Sequence, residues 1–288
     1  MDSTGIYGID GLRVLKVPLP CGGTPIVLAV GNPQGLAIDA TNVYWTDSAG
    51  LGADTTVYKV AKGGGQPMPL ATLPYGPGGS AISVDATSVY VLGYASGDGP
   101  CSNSVRQCQP GVVMKVPTDG GAPIALATAQ ATPVWIAVDA ANVYWANEGP
   151  TAYGPGDSMN QAAIMSTPLA GGAVSTLVSD LAAPGSLFVQ GSRLYWSARA
   201  SIMSMPTSGG TPATLVQHDF IPGGMTVDAR SIYLVDGSGS IDVIPLTGGT
   251  ATTLAAVPMF LSDQESIAVD STSVYWNNTD KLLRVTLE

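Results

Sequence analysis

The chain has 288 residues, 45% of them hydrophobic and only 11% charged, with 36 Gly and 22 Pro, a composition that excludes a disordered polymer and suits many short elements joined by turns. Eleven basic against 21 acidic residues leave a net charge of −10, so no basic face is available to neutralise the phosphates of a nucleic acid. No apolar run approaches the roughly 18 residues of a membrane span, and no apolar period of three to four residues is sustained, which leaves an all-β reading.

Along the chain one unit keeps returning. Short apolar runs end in Asp39 (GLAID), Asp85 (AISVD), Asp139 (WIAVD), Asp228 (MTVD) and Asp270 (SIAVD), and SLFVQ places Gln190 in the same frame. The intervals are 46, 54, 51, 38 and 42 residues, and Met1-Asp2 adds a copy 37 residues before Asp39. Repeat units therefore begin near residues 1, 35, 81, 135, 186, 224 and 266. A period of about 40–50 residues with several short strands in each predicts a β-propeller of four-stranded antiparallel blades in a single domain, residues 1–288.

Within each unit, strand A is the apolar run ending in Asp. Strand B is VYW at 43–45, 143–145 and 274–276, LYW at 194–196, VYV at 89–91, IYL at 232–234 and IYG at 6–8. Strand C, typified by VVMKVP, ends near Pro18, Pro117, Pro168, Pro206 and Pro245, and a Gly-Gly turn leads to the Leu-Ala run of strand D. Seven of the 11 Tyr and four of the five Trp belong to strand B. A large residue that recurs at one phase in every unit is a packing element, so NVYWTD at 42–47 reads as scaffold, and the Asp of VDAT as a turn-former.

VYWTD at 43–47, preceded by GLAID at 35–39, resembles the YWTD repeat of low-density-lipoprotein-receptor-type propellers, over the whole chain. The compact MKVPxxGG strand C is closer in style to bacterial secreted propellers. The resemblance implies a location outside the cell, on its surface or in the periplasm. Receptor propellers of this type have six blades and bind protein ligands. Here the count gives seven B strands, seven C strands, six D strands and six full A strands, so seven blades are expected, with six plus two surplus strands as the alternative. A ring of seven needs one more D–A pair near the N-terminus, and on this reading Met1 is a truncated or misassigned start that lacks a signal segment.

Uniform turns (A–B and C–D) share one rim of such a fold, whereas the D–A and B–C loops vary in length and share the other, where binding is expected. The off-pattern residues there are Tyr75, Tyr94, Trp135, Tyr153, His218, Phe220, Phe260, Glu148 and Glu265. Of these, Tyr75, Trp135, Tyr153, His218, Phe220 and Phe260 form the expected binding set. His218 beside Asp219 is the candidate base with an orienter, and Glu148 with Glu265 a candidate carboxylate pair. Asp236 and Asp242 in DGSGSID are superficially like a calcium loop but lack the distal Glu, and a B–C hairpin explains them as well. No cofactor is required, with calcium or another divalent cation as the open case. Cys101 and Cys108, seven apart in a polar insertion, suit a disulfide in an exported protein.

The expected function is a secreted or cell-surface binding module, monomeric, presenting the variable rim to a macromolecule, carbohydrate or small ligand. The alternative is a propeller lyase or hydrolase acting at the channel mouth near His218 and the acidic loop residues.

Overall fold

In the computed structural model the described residues are 1–19, 23–48, 54–95, 111–149, 162–181, 184–217, 224–236, 240–256, 267–278 and 281–287. They form 26 strands in seven antiparallel sheets, each a meander of consecutive strands. The first sheet holds β1 (Gly5–Asp10), β2 (Arg13–Pro18) and β3 (Ile26–Val30). The second holds β4 (Pro33–Ile38), β5 (Asn42–Ser48), β6 (Thr55–Ala61) and β7 (Met68–Leu73). The third holds β8 (Tyr75–Val84), β9 (Ser88–Ala95), β10 (Gly111–Pro117) and β11 (Ile124–Gln130). The fourth holds β12 (Pro133–Val138), β13 (Asn142–Asn147), β14 (Ala162–Pro168) and β15 (Ser175–Leu181). The fifth holds β16 (Pro184–Gln190), β17 (Arg193–Ala198), β18 (Ser201–Pro206) and β19 (Ala213–Gln217). The sixth holds β20 (Met225–Val227), β21 (Ser231–Asp236), β22 (Ser240–Pro245) and β23 (Thr252–Ala256). The seventh holds β24 (Ile267–Val269), β25 (Ser273–Asn278) and β26 (Lys281–Thr286).

This is the arrangement of a seven-bladed β-propeller, with five four-stranded blades and two of three strands among the described residues. Among the described residues the strands number seven in the B place, seven in the C place, six in the D place and six in the A place, the counts read from the sequence. The chain divides into two compact units, Thr4–Asp180, and Leu181–Glu288 together with Met1–Ser3. No helix among the described residues is long and apolar enough to cross a membrane.

Strand B explains why the blades stack. Val43 and Trp45 pack back onto Tyr7, Val14, Leu28 and Ala29 of the first blade, while Tyr44 packs forward with Val89, Val91, Val112 and Met114 of the third. Side chains alternate across a strand, so the sequence Val-Tyr-Trp fills two inter-blade gaps at once. The frame recurs with Tyr90 forward and Trp145 back, both in one core, and with Tyr233 forward and Trp276 back in another. NVYWTD is scaffold down to its polar ends, since Thr46 Oγ1 accepts the Gly35 N–H at 3.1 Å and Asp47 Oδ2 the Asn32 N–H at 2.9 Å.

Two polar devices tie the blades. At the A–B corner, Asp39 Oδ1 accepts the N–H groups of Thr41 and Asn42, each at 2.7 Å, and Oδ2 accepts the Tyr44 hydroxyl at 2.7 Å. The corner is repeated at Asp85–Tyr90, Asp139–Tyr144, Asp228–Tyr233 and Asp270–Tyr275. In the fifth blade Gln190 replaces the Asp, and Gly191 turns the chain at φ 58° instead. The second device is a lysine in strand C. Lys16, Lys59 and Lys115 donate to the carbonyls of Lys62, Thr118 and Leu169 at 3.2, 2.6 and 2.8 Å, each reaching the residue just past strand C of the next blade. Lys115 also lies 5.8 Å over the Tyr90 ring.

Burial works to raise the pKa of Asp39, Asp85 and Asp270, but hydrogen bonds prevail and hold all three below 3.8. At Asp39 and Asp85 the strongest of these bonds is the tyrosine hydroxyl, and at Asp270 it is the Thr272 N–H. A depressed folded-state pKa stabilises the fold above the unfolded-state value and loses that contribution as pH falls through the folded one. The melting temperature is therefore expected to fall as pH drops below about 4, and Tyr90→Phe to cost about 1 kcal/mol at neutral pH in urea unfolding. Lys115→Met is expected to cost about 1–2 kcal/mol in the same assay, through the lost charge-assisted bond.

Candidate functional site

The meander fixes which turns share an end. Successive hairpins alternate, so within each compact unit the D–A and B–C connections lie at one end of the sheets, opposite the Asp corners and Gly-Gly turns. Around the junction of the third and fourth blades, within the first compact unit, this end is densely braced. Gln130, closing β11, accepts both the Trp145 indole N–H at 3.0 Å and an Asn147 Nδ2–H at 3.1 Å. Its own amide donates to the Thr128 carbonyl at 2.9 Å, which fixes the orientation of the group. Glu148 N–H reaches the Thr132 carbonyl at 3.0 Å and Gly149 N–H the Ala131 carbonyl at 3.1 Å. Tyr94, 6% exposed, donates to the Pro133 carbonyl at 3.0 Å, and a side chain at Gly111 would overlap the Pro133 ring.

That bracing holds strained backbone. Ala129 and Thr132 adopt φ of 55° and 56°, a left-handed conformation that costs a residue with a Cβ about 1 kcal/mol or more. Such strain persists only where the surroundings over-determine it, and it collects at functional sites. Asn147, 6% exposed, keeps its Oδ1 without a hydrogen-bond partner. A buried amide acceptor of this kind is suited to a donor brought from outside.

Trp135 is the other departure at this end. It immediately precedes Ile136, the partner of Trp145 across the β12–β13 ladder. The equivalent positions, each just before the partner of the strand-B Trp place, hold Gly35, Ala81, Ser186, Gly224 and Ser266. Five small residues and one Trp, itself 37% exposed, mark a side chain that the stacking of blades does not call for. By the alternation of the strand, Trp135 lies on the face of its sheet opposite Ile136, Trp145 and Asn147, so the indole and the unpaired amide are neighbours on one rim without sharing a face.

The other sequence candidates fall as follows. Tyr75 opens β8, where it is half-buried against the core of the second and third blades, instead of lying in a loop. Tyr94, expected at the variable rim, is a buried brace, because its position pairs with Gly111 inside the third blade. Glu148 is exposed and follows β13 directly. Asp236 and Asp242 flank the β21–β22 hairpin, and Asp242 is buried, accepting the Ser240 hydroxyl at 3.0 Å. His218, Asp219, Phe220, Tyr153, Phe260, Glu265, Cys101 and Cys108 lie outside the described residues. Among the described residues no group of three His, Cys, Asp or Glu is placed to hold a metal ion.

No protein-family profile matches the chain, and no curated protein does. Solved structures do. A chain of a nidogen/laminin complex is similar at a TM-score of 0.58 and 18% identity, over 83% of this chain and 88% of that one. A prolyl endopeptidase is similar at 0.60 and 10% identity, over 99% of this chain and 50% of the endopeptidase. A putative TolB from Agrobacterium tumefaciens is similar at 0.51 and 11% identity, over 81% and 84%. Identities this low speak for the fold alone.

Gln130→Leu is expected to leave the Trp145 and Asn147 donors without their acceptor, costing about 2 kcal/mol or more in urea unfolding, whereas Glu148→Gln changes stability by less than about 0.5 kcal/mol. The seven sheets and these likenesses together make the chain a seven-bladed β-propeller.

Proposed function

We propose that the chain is a binding module, exported from the cell, whose D–A and B–C rim on the second to fourth blades meets a macromolecular partner with Trp135 as its anchor. The observation that carries this reading is Trp135 itself, an exposed indole at a position where the other blades keep Gly, Ala or Ser. An aromatic side chain presented by a rigid strand offers large contact area at small entropic cost, the character of an interface anchor. The rim around it suits the same role. The B–C connections of these three blades are long, from 49 to 54, 96 to 110 and 148 to 161, against two residues, Gly11 and Leu12, in the first blade and two, Arg199 and Ala200, in the fifth. The similar nidogen chain was solved in complex with laminin, a precedent for protein binding by this fold.

A thermal-shift screen against glycans, peptides and small metabolites, run with chelator and then with calcium, tests the reading, because a ligand of the native state raises the melting temperature by mass action. For any ligand found, Trp135→Ala is expected to weaken binding by about 30-fold or more, equivalent to about 2 kcal/mol, with the melting temperature of the free protein nearly unchanged. Undiminished binding by Trp135→Ala overturns the assignment of the anchor. Turnover of a bound ligand that disappears in His218→Ala overturns the binding-module reading in favour of an enzyme.

A further inference from the structure

Charge within the compact unit Thr4–Asp180 is sorted by end. All of its lysines gather where the Asp corners and Gly-Gly turns lie. Lys16, Lys59 and Lys115 reach carbonyls of the next blade there, and Lys62 donates to the Asp39 carbonyl. Asp39, Asp85, Asp119 and Asp139 share that end, so its charge is balanced. The end that carries the D–A and B–C connections holds no lysine. Among the described residues it has Asp10, Asp47, Asp54, Glu148 and Asp180 against Arg13 alone, and Arg13 is paired with Asp10. All of these carboxylates except Asp47 are exposed.

A one-sided distribution of this kind leaves a negative field over the rim. Such a field disfavours nucleic acids and anionic lipid surfaces, and among macromolecules it favours polypeptides rich in Lys or Arg. Two side chains of the fourth blade narrow the place and the chemistry. Asn147, 6% exposed, donates its Nδ2–H to Gln130, so the atom left without a partner is the acceptor Oδ1. Lys and Arg side chains only donate, which suits them to an acceptor in this state. Trp135, on the neighbouring strand and 37% exposed, offers an indole, the aromatic face that attracts a cation most strongly. The two lie on opposite faces of the sheet, so they call for two contacts of one segment.

We propose that this end of the fourth blade recognises a basic segment of a polypeptide partner, an inference that rests on the reading of Trp135 as the anchor. One Lys or Arg side chain lies over the Trp135 indole, and a second N–H donor of the same segment reaches Asn147 Oδ1. Glu148, next to Asn147, and the other carboxylates of this end draw the segment in.

The probe is a labelled peptide of alternating Lys and Ser, titrated with the full chain and followed by fluorescence anisotropy at about 20 mM and about 300 mM salt. It is expected to bind at low salt and about tenfold more weakly at the higher salt, and the matching Glu-Ser peptide not to bind. Trp135→Ala is expected to weaken binding about 30-fold or more. Asn147→Leu is expected to weaken it about fivefold, and Asn147→Asp, which keeps an acceptor, to retain it. Glu148→Gln is expected to weaken it about two- to threefold, whereas Asp119→Asn, at the opposite end, leaves it unchanged. No binding up to about 1 mM peptide overturns the proposal. So does equal weakening by Glu148→Gln and Asp119→Asn, the mark of attraction to net charge alone. Binding of the Glu-Ser peptide that depends on Trp135 overturns the basic partner and leaves the anchor standing. Undiminished binding of the Lys-Ser peptide by Trp135→Ala overturns the anchor as well. Equal affinity for free spermine overturns the assignment to a polypeptide.

Discussion

The structure depends on one constraint: strand B of each blade must fill the gap on both of its sides. A β-strand sends alternate residues to opposite faces, so three consecutive positions serve two interfaces, and Val-Tyr-Trp meets the requirement with the largest side chains available. Val43, Tyr44 and Trp45 are 0–2% exposed, and burying side chains of this size contributes about 1.5–3 kcal/mol each. Tyr has a second role, because its hydroxyl emerges at the corner where the Asp of strand A collects two backbone N–H groups. The aromatic packing and the turn are thereby one device, and neither can drift in register without disturbing the other.

A repeated device also makes its exceptions informative. Strand C carries Lys16, Lys59 and Lys115 in the first three blades, each reaching a carbonyl of the next, but Ser166, Ser204 and Val243 in the fourth to sixth. The fifth blade adjusts locally, since Arg193 donates to Ser204 Oγ at 2.8 Å. That blade also gives up its corner Asp for Gln190 and buries the Trp196 indole N–H without a hydrogen-bond partner. Among the described residues the first four blades are thus linked by three charge-assisted bonds from the strand-C lysines.

Most of this architecture was legible in the sequence, because a period-two pattern that returns every 40 or so residues leaves few alternatives. Strand order, the Pro at the end of strand C and the unequal numbers of A, B, C and D strands all followed from counting. What misled was the loop boundary. Tyr75, Tyr94 and Trp135 all read as rim residues, yet each lies in a strand, Tyr94 buried, Tyr75 half-buried and Trp135 exposed. Tyr94 looks off-pattern because its value depends on Pro133, 39 residues away, and no local period encodes that contact. Gln130 escaped notice for the same reason: nothing near it in sequence announces that it will hold Trp145 and Asn147.

Trp135 is large for its place, which the other blades fill with Gly, Ala or Ser. A residue added to a scaffold that works without it, beside backbone held at φ 55° and 56°, reads as something acquired on the fold. The repeats supply the standard against which it is measured, because the equivalent positions of five other blades show what the scaffold places there.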